Sequence, residues 1–183
     1  MHHFIAESYF DVVTNVNDTW ARVKALPNYR EEFGVALFRR MFEVAPDAWT
    51  VFPWGRGNKN DEDMFKNPEF LKFARRFTEM LDMAIDMLGP DMELVEEQLT
   101  DIGIMHSRVG VVPRHYPLMG ACLIDTLADK LGPETFTRRH RDAWGATFQF
   151  MSTTMLQGAF DDMKRKLEGG GKKNGGSMRH SVL

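Results

Sequence analysis

Apolar residues recur every three or four positions along most of this chain, and the strict alternation of a β-strand is nearly absent. Thr14 is a suitable N-cap. Val16, Trp20 and Val23 then mark one face of a first helix, which Pro27 and Asn28 stop just past Leu26. A second stripe of Phe33, Leu37, Phe38, Met41 and Phe42 ends near Ala45-Pro46, and a short turn over 47–52 leads into a polar loop, 53–67, punctuated by Gly55 and Gly57. Pro68 suits the first turn of a helix. The stripe that follows is Phe70, Phe73, Ala74, Phe77, Leu81, Ala84 and Leu88, with Lys72, Arg75, Glu79, Asp82 and Asp86 largely off it. Beyond Gly89-Pro90, Val95, Leu99, Ile102 and His106 follow one another at steps of four, three and four, until Gly110 and Pro113 end the run. Another helix is predicted from near Pro117 to Gly132-Pro133. The last runs from about Thr137 to Leu167 and turns Trp144, Phe148, Met151 and Met155 inward.

The pattern therefore predicts one all-α domain of six or seven helices over 14–167, after an N-terminal extension, 1–13. A Gly-, Lys- and Ser-rich stretch, 168–183, should form a disordered tail. At 183 residues the chain is long enough for one substantial core. Its fourteen Phe and thirteen Met against three Tyr make that core rich in flat and adaptable apolar surface, which suits either plain packing or a large flat apolar ligand. A formal charge of -3 gives no overall pull toward nucleic acid or an anionic membrane. No run of about eighteen apolar residues occurs, so no membrane span is expected. The first residues lack the pattern of a secretory signal. Cys122 is the single cysteine, which leaves no internal disulfide and no paired-cysteine metal site. A cytoplasmic protein fits these features.

His106 is the informative residue. It continues an apolar stripe, so its imidazole should point inward, where both ring nitrogens need partners. The stripe itself supplies no acid or hydroxyl. A metal on one nitrogen and a carbonyl or hydroxyl on the other would satisfy the ring; a satisfied core histidine is the alternative. Of the remaining histidines, His115 sits in a corner beside Arg114 and is expected to be solvated, with the carboxylate of a bound cofactor as its alternative partner. His140 lies among Arg138, Arg139 and Arg141 on what reads as an exposed basic turn, and His2, His3 and His180 belong to the ends of the chain.

The order and spacing of several weak motifs carry more than any one of them. Leu99, Ile102-Gly103, His106, Val109-Gly110-Val111, Tyr116 and Met119-Gly120 resemble the proximal helix and following corner of globins. Trp20, Gly34 with Leu37-Phe38, Pro46 with Phe52, the opening Pro68-Glu69-Phe70-Leu71, and Trp144 agree with the same family. The neuroglobin and cytoglobin branch is the nearest likeness, over roughly 14–160. The resemblance implies a globin fold of six to eight helices around a haem pocket, with haem b as cofactor and His106 as the iron ligand. It implies that Phe52 packs on the haem face, and that Ile102, Val109, Val111 and Tyr116 are proximal contacts. Phe38, Phe73 and Phe77 would overlook the distal site, and Arg76 would pair with a haem propionate.

At the distal position, where the family commonly has His or Gln, this chain has Phe73, and no histidine lies between His3 and His106. Coordination by two histidines and the usual hydrogen bond to dioxygen are both put in doubt. A hydrogen bond to a group with anionic character contributes roughly 1.5–3 kcal/mol, so its loss should speed dioxygen release by about one to two decades. Reversible binding of dioxygen or another diatomic gas is the first reading. Nitric oxide dioxygenation, peroxide reduction or gas sensing remain open, and turnover of nitric oxide would need a separate reductase.

Overall fold

The computed structural model describes residues 2–52, 62–89 and 92–170, with side chains over 9–52, 64–89 and 92–168. Among these residues the regular elements are helical: α1 (His2–Lys24), α2 (Tyr29–Val44), a 3₁₀ turn (Pro46–Val51), a second 3₁₀ turn (Glu62–Lys66), α3 (Pro68–Asp86), α4 (Glu93–Arg108), α5 (His115–Leu131) and α6 (Arg138–Gly170). The predicted terminators hold. Asn28 takes a positive φ of 47° before α2, and Gly110 and Gly132, at φ 95° and 74°, turn the chain after α4 and α5.

Three boundaries differ from the sequence pattern. Thr14 lies inside α1 rather than capping it, and the stretch read as an extension, 1–13, is a continuation of that helix from His2 onward. The physical reason is a longer inward stripe. Val12 and Val13 already pack on the core, and the Tyr9 hydroxyl donates to the Gly89 carbonyl at 3.0 Å. Within the loop, residues 62–66 close into the second 3₁₀ turn, while 53–61 fall outside the described residues. At the other end α6 reaches Gly170, past the predicted end at Leu167, and residues 171–183 of the expected tail fall outside the described residues.

Buried residues form two clusters. The larger contains Trp20, Phe33, Leu37, Val95, Leu99, Tyr116, Leu127, Trp144 and Met151. Trp20 stands edge-on to Phe33 and Trp144, with ring centroids 5.2 and 5.9 Å away. Truncating one such buried aromatic to alanine costs about 3–5 kcal/mol. The Trp144 indole donates to Thr19 Oγ1 at 2.8 Å, so its polar end is satisfied without water. The smaller cluster gathers Phe38, Trp49, Met64, Phe70 and Ala74, with Phe52, Phe73 and Phe77 packed on it.

Two close helix crossings fix the frame. A β-carbon on Gly34 of α2 would lie 2.3 Å from the Ala74 carbonyl oxygen of α3. One on Gly103 of α4 would lie 1.9 Å from the Met155 carbonyl oxygen of α6. Only glycine allows either approach. In this way α3 rests on α2 and α4 on α6, whereas the backbones of α3 and α4 approach each other far less. Leu81 and Ile85 of α3 nevertheless share the larger cluster with Val95 and Leu99 of α4.

Asp82 ties three helices together. Its carboxylate accepts from the Trp20 indole at 2.8 Å and the Tyr29 hydroxyl at 2.9 Å, and pairs with Lys24 at 3.3 Å. Burial would raise its pKa, but hydrogen bonds from Trp20, Tyr29 and Lys24 outweigh that and hold it below the ordinary value. A depressed folded pKa means stability that is fully present above the unfolded value and lost as pH falls through the folded one. Asp82→Asn should therefore cost about 1–2 kcal/mol at neutral pH, with the gap to the unmutated protein closing below the ordinary carboxylate range. Urea melts at neutral and acid pH check this; a gap that persists unchanged in acid contradicts it.

Candidate functional site

His106 lies in the last turn of α4, as the stripe predicts, and is half-buried. Its Nδ1 is 3.4 Å from the Tyr116 hydroxyl, and the two rings stand 6.1 Å apart. Among the described residues Nε2 has no hydrogen-bond partner. Burial lowers the pKa of the imidazole, so it is neutral at physiological pH, the form that ligates a metal.

Four of the other predicted residues converge on one another. The Phe38 ring lies 4.9 Å from Phe73, 5.0 Å from Phe77 and 6.2 Å from Phe52, and Phe52 is 4.8 Å from Phe73. All four contacts are edge-on, the favoured aromatic geometry. The residues come from α2, α3 and the end of the first 3₁₀ turn. Sequence reasoning named these four but missed Phe42, whose ring lies 5.7 Å from Phe52 and 4.5 Å from Trp49. Its place one turn beyond Phe38 on α2 was the available signal.

The proximal set is less uniform. Ile102, Val111 and the buried Tyr116 belong to the larger cluster, whereas Val109, just past the end of α4, is 52% exposed. Met80, at helical spacing from Phe73 and Phe77, is 40% exposed. Apolar side chains thus stand open to solvent just past the end of α4 and on α3. Arg76 is exposed and, among the described residues, makes no ion pair.

His115 corrects the sequence reading. It is not solvated: at 6% exposure it lies buried at the start of α5. Its Nδ1 accepts from the Val112 amide at 3.3 Å and its Nε2 is 3.0 Å from Asp47 Oδ2. The bond from His115 is the main reason the Asp47 carboxyl lies below its ordinary pKa, with Arg114 adding to the effect. The pair joins the first 3₁₀ turn to the corner after α4. The histidine closes a local turn onto Val112, and the acid comes from 68 residues away, which no local pattern discloses. His140 caps instead of facing solvent freely, since its Nδ1 accepts from the Thr137 amide at 3.1 Å. A separate cleft of about 450 Å³ lies at the α1–α2 corner, lined by Leu26, Tyr29, Phe33 and Lys130 among others, and includes none of these site residues.

The side chains present suit a flat apolar group with a metal at its centre. A neutral imidazole with one unpartnered nitrogen among the described residues stands on α4, and the aromatic cluster belongs to α2, α3 and the first 3₁₀ turn. That combination is the donor set and apolar wall of a haem site. No group of three or more acidic, His or Cys side chains suited to a bare metal ion occurs among the described residues. No described helix is long and apolar enough to cross a membrane.

The sequence profile of the globin family matches residues 35–155, from early α2 into the second half of α6. A neuroglobin from Danio rerio is 28% identical over 143 residues, covering 78% of this chain and 87% of that protein. Neuroglobins from Tetraodon nigroviridis and Dissostichus mawsoni are each 30% identical over 125 residues, covering 68% of this chain and 77% of theirs. The match spans the aromatic cluster and His106 alike, and so the chain belongs to the globin family, whose members hold a haem and bind diatomic gases.

Proposed function

We propose that this chain holds one b-type haem through His106 Nε2 and reversibly binds dioxygen or another diatomic gas on the face opposite. The observation that carries the reading is the unpartnered Nε2, among the described residues, of a neutral, half-buried imidazole at the end of α4. When bound, the haem supplies the iron centre at which a gas molecule is held. The chain supplies the rest. Phe52, Phe38, Phe73 and Phe77 exclude water from the distal face. Ile102, Val109, Val111 and Tyr116 surround the proximal face, and Arg76, exposed and with no ion pair among the described residues, is available to a propionate at the mouth.

The apolar character of the distal cluster favours gas binding over peroxide chemistry. Cleaving a peroxide calls for an acid–base group near it, and the rings of Phe38, Phe73 and Phe77 offer none. The test is a set of optical spectra of the haem-loaded protein in ferric, ferrous and carbon-monoxide forms. The ferrous protein should be five-coordinate and high-spin. A six-coordinate, low-spin ferrous spectrum would show an internal distal ligand and overturn this account of the pocket.

A further inference from the structure

A neutral imidazole carries one N–H, and which nitrogen bears it is decided by the partner of the other. For Nε2 of His106 to offer a lone pair, the proton must sit on Nδ1, and in a half-buried setting that N–H needs an acceptor. Among the described residues the one group at hydrogen-bond distance is the Tyr116 hydroxyl, at 3.4 Å. Tyr116 is not on the same helix. It belongs to the first turn of α5 and reaches the end of α4 because the chain reverses through Gly110 at φ 95°. That position is secured on both sides. The Tyr116 amide donates to the Pro113 carbonyl, and the adjoining His115 is held by Val112 and Asp47. The phenol itself is buried at 7% exposure.

We propose that Tyr116 is the positioning residue for His106, its hydroxyl accepting the Nδ1 proton and so holding the ring in the tautomer that leaves Nε2 free for iron. The proposal deepens the haem reading and rests on it. A phenol both donates and accepts, so the same contact serves the chain before haem uptake with either tautomer and needs only a rotation of the O–H to serve the ligating one. A phenol is neutral in its ordinary range and is therefore a modest acceptor. A modest acceptor gives the imidazole only slight anionic character, so the iron should be tuned less toward the ferric state than by a carboxylate partner.

Tyr116→Phe keeps the ring and removes only the acceptor. In the haem-loaded variant the iron–imidazole stretching band should move to lower frequency. The reduction equilibrium should shift toward the ferrous form by about three- to tenfold, the worth of one ordinary hydrogen bond. In the haem-free variant the His106 ring nitrogens should change their ¹⁵N shifts, and the tautomer ratio with them. A thermal melt followed by circular dichroism separates these effects from misfolding, because loss of packing alone would move the melt and not the nitrogen shifts. An iron–imidazole band and a reduction equilibrium equal to those of the unmutated protein would overturn the proposal. Absence of an iron–imidazole band in both proteins would instead sink the haem reading. The positioning role would then stand or fall on the haem-free nitrogen shifts: a change on losing the hydroxyl keeps it, identity rejects it.

Discussion

His106→Ala should leave a folded apoprotein that no longer retains haem. The folded state depends little on the side chain, which is half-buried and makes one long hydrogen bond, so its removal should cost no more than about 1–2 kcal/mol. Its loss to the cofactor is of another order. Groups that merely support a metal ligand are worth about 10- to 100-fold in affinity, and the ligand itself should exceed that range. Haem titration of the variant should therefore show at least a hundredfold weaker uptake, roughly, while its circular dichroism stays helical. Free imidazole added to the variant should restore part of the ferrous spectrum by taking the vacated position. Unchanged uptake with an unchanged imidazole signature would mean that another residue holds the iron.

The second large effect is expected at Phe73. Its ring packs edge-on against Phe38 and Phe52, and it offers nothing to hydrogen-bond. Phe73→His introduces a donor where bound dioxygen has anionic character, and should slow dioxygen release by about a decade or more. Carbon monoxide is far less polar when bound, so its release should change little. Flash photolysis of both gases measures the pair of rates; equal slowing of both would mean a steric barrier instead of a hydrogen bond. Arg76→Ala should leave dioxygen release unchanged if the guanidinium stays at the mouth. Faster release would mean that it swings inward and is itself the donor.

Periodicity alone carried the architecture, because each helix has a continuous apolar face and the breaks at Pro27, Gly89-Pro90, Gly110 and Gly132 are chemically unambiguous. The start of α1 was misplaced for a reason of the same kind. Thr14 is a good cap by residue type, but a cap acts only where the helix actually begins, and Tyr9 finds its partner across the fold at Gly89. The aromatic cluster was legible because resemblance to a family assigns several distant positions at once. His115 was not, since its partner Asp47 lies in another element and a histidine beside an arginine reads locally as solvated. Nor was Asp82, which pattern reading sets among the polar positions of α3, although it gathers the polar ends of Trp20 and Tyr29 beneath the surface.

The division of the apolar interior into two clusters has a consequence for how the molecule comes apart. The smaller one, around Phe38, Trp49 and Phe70, joins the larger through Phe42 of α2, Phe77 of α3 and Met119 of α5, which pack on both. Cooperative melting requires that the loss of one part removes support from the other. Those three residues carry that mutual support, so the region around Phe38, Trp49 and Phe70 is where a partial opening below the global free energy is expected first. A ligand bound against both clusters adds its own binding free energy to the native state alone and makes the integrity of each a condition of the other's. Cofactor uptake should therefore sharpen the melting transition.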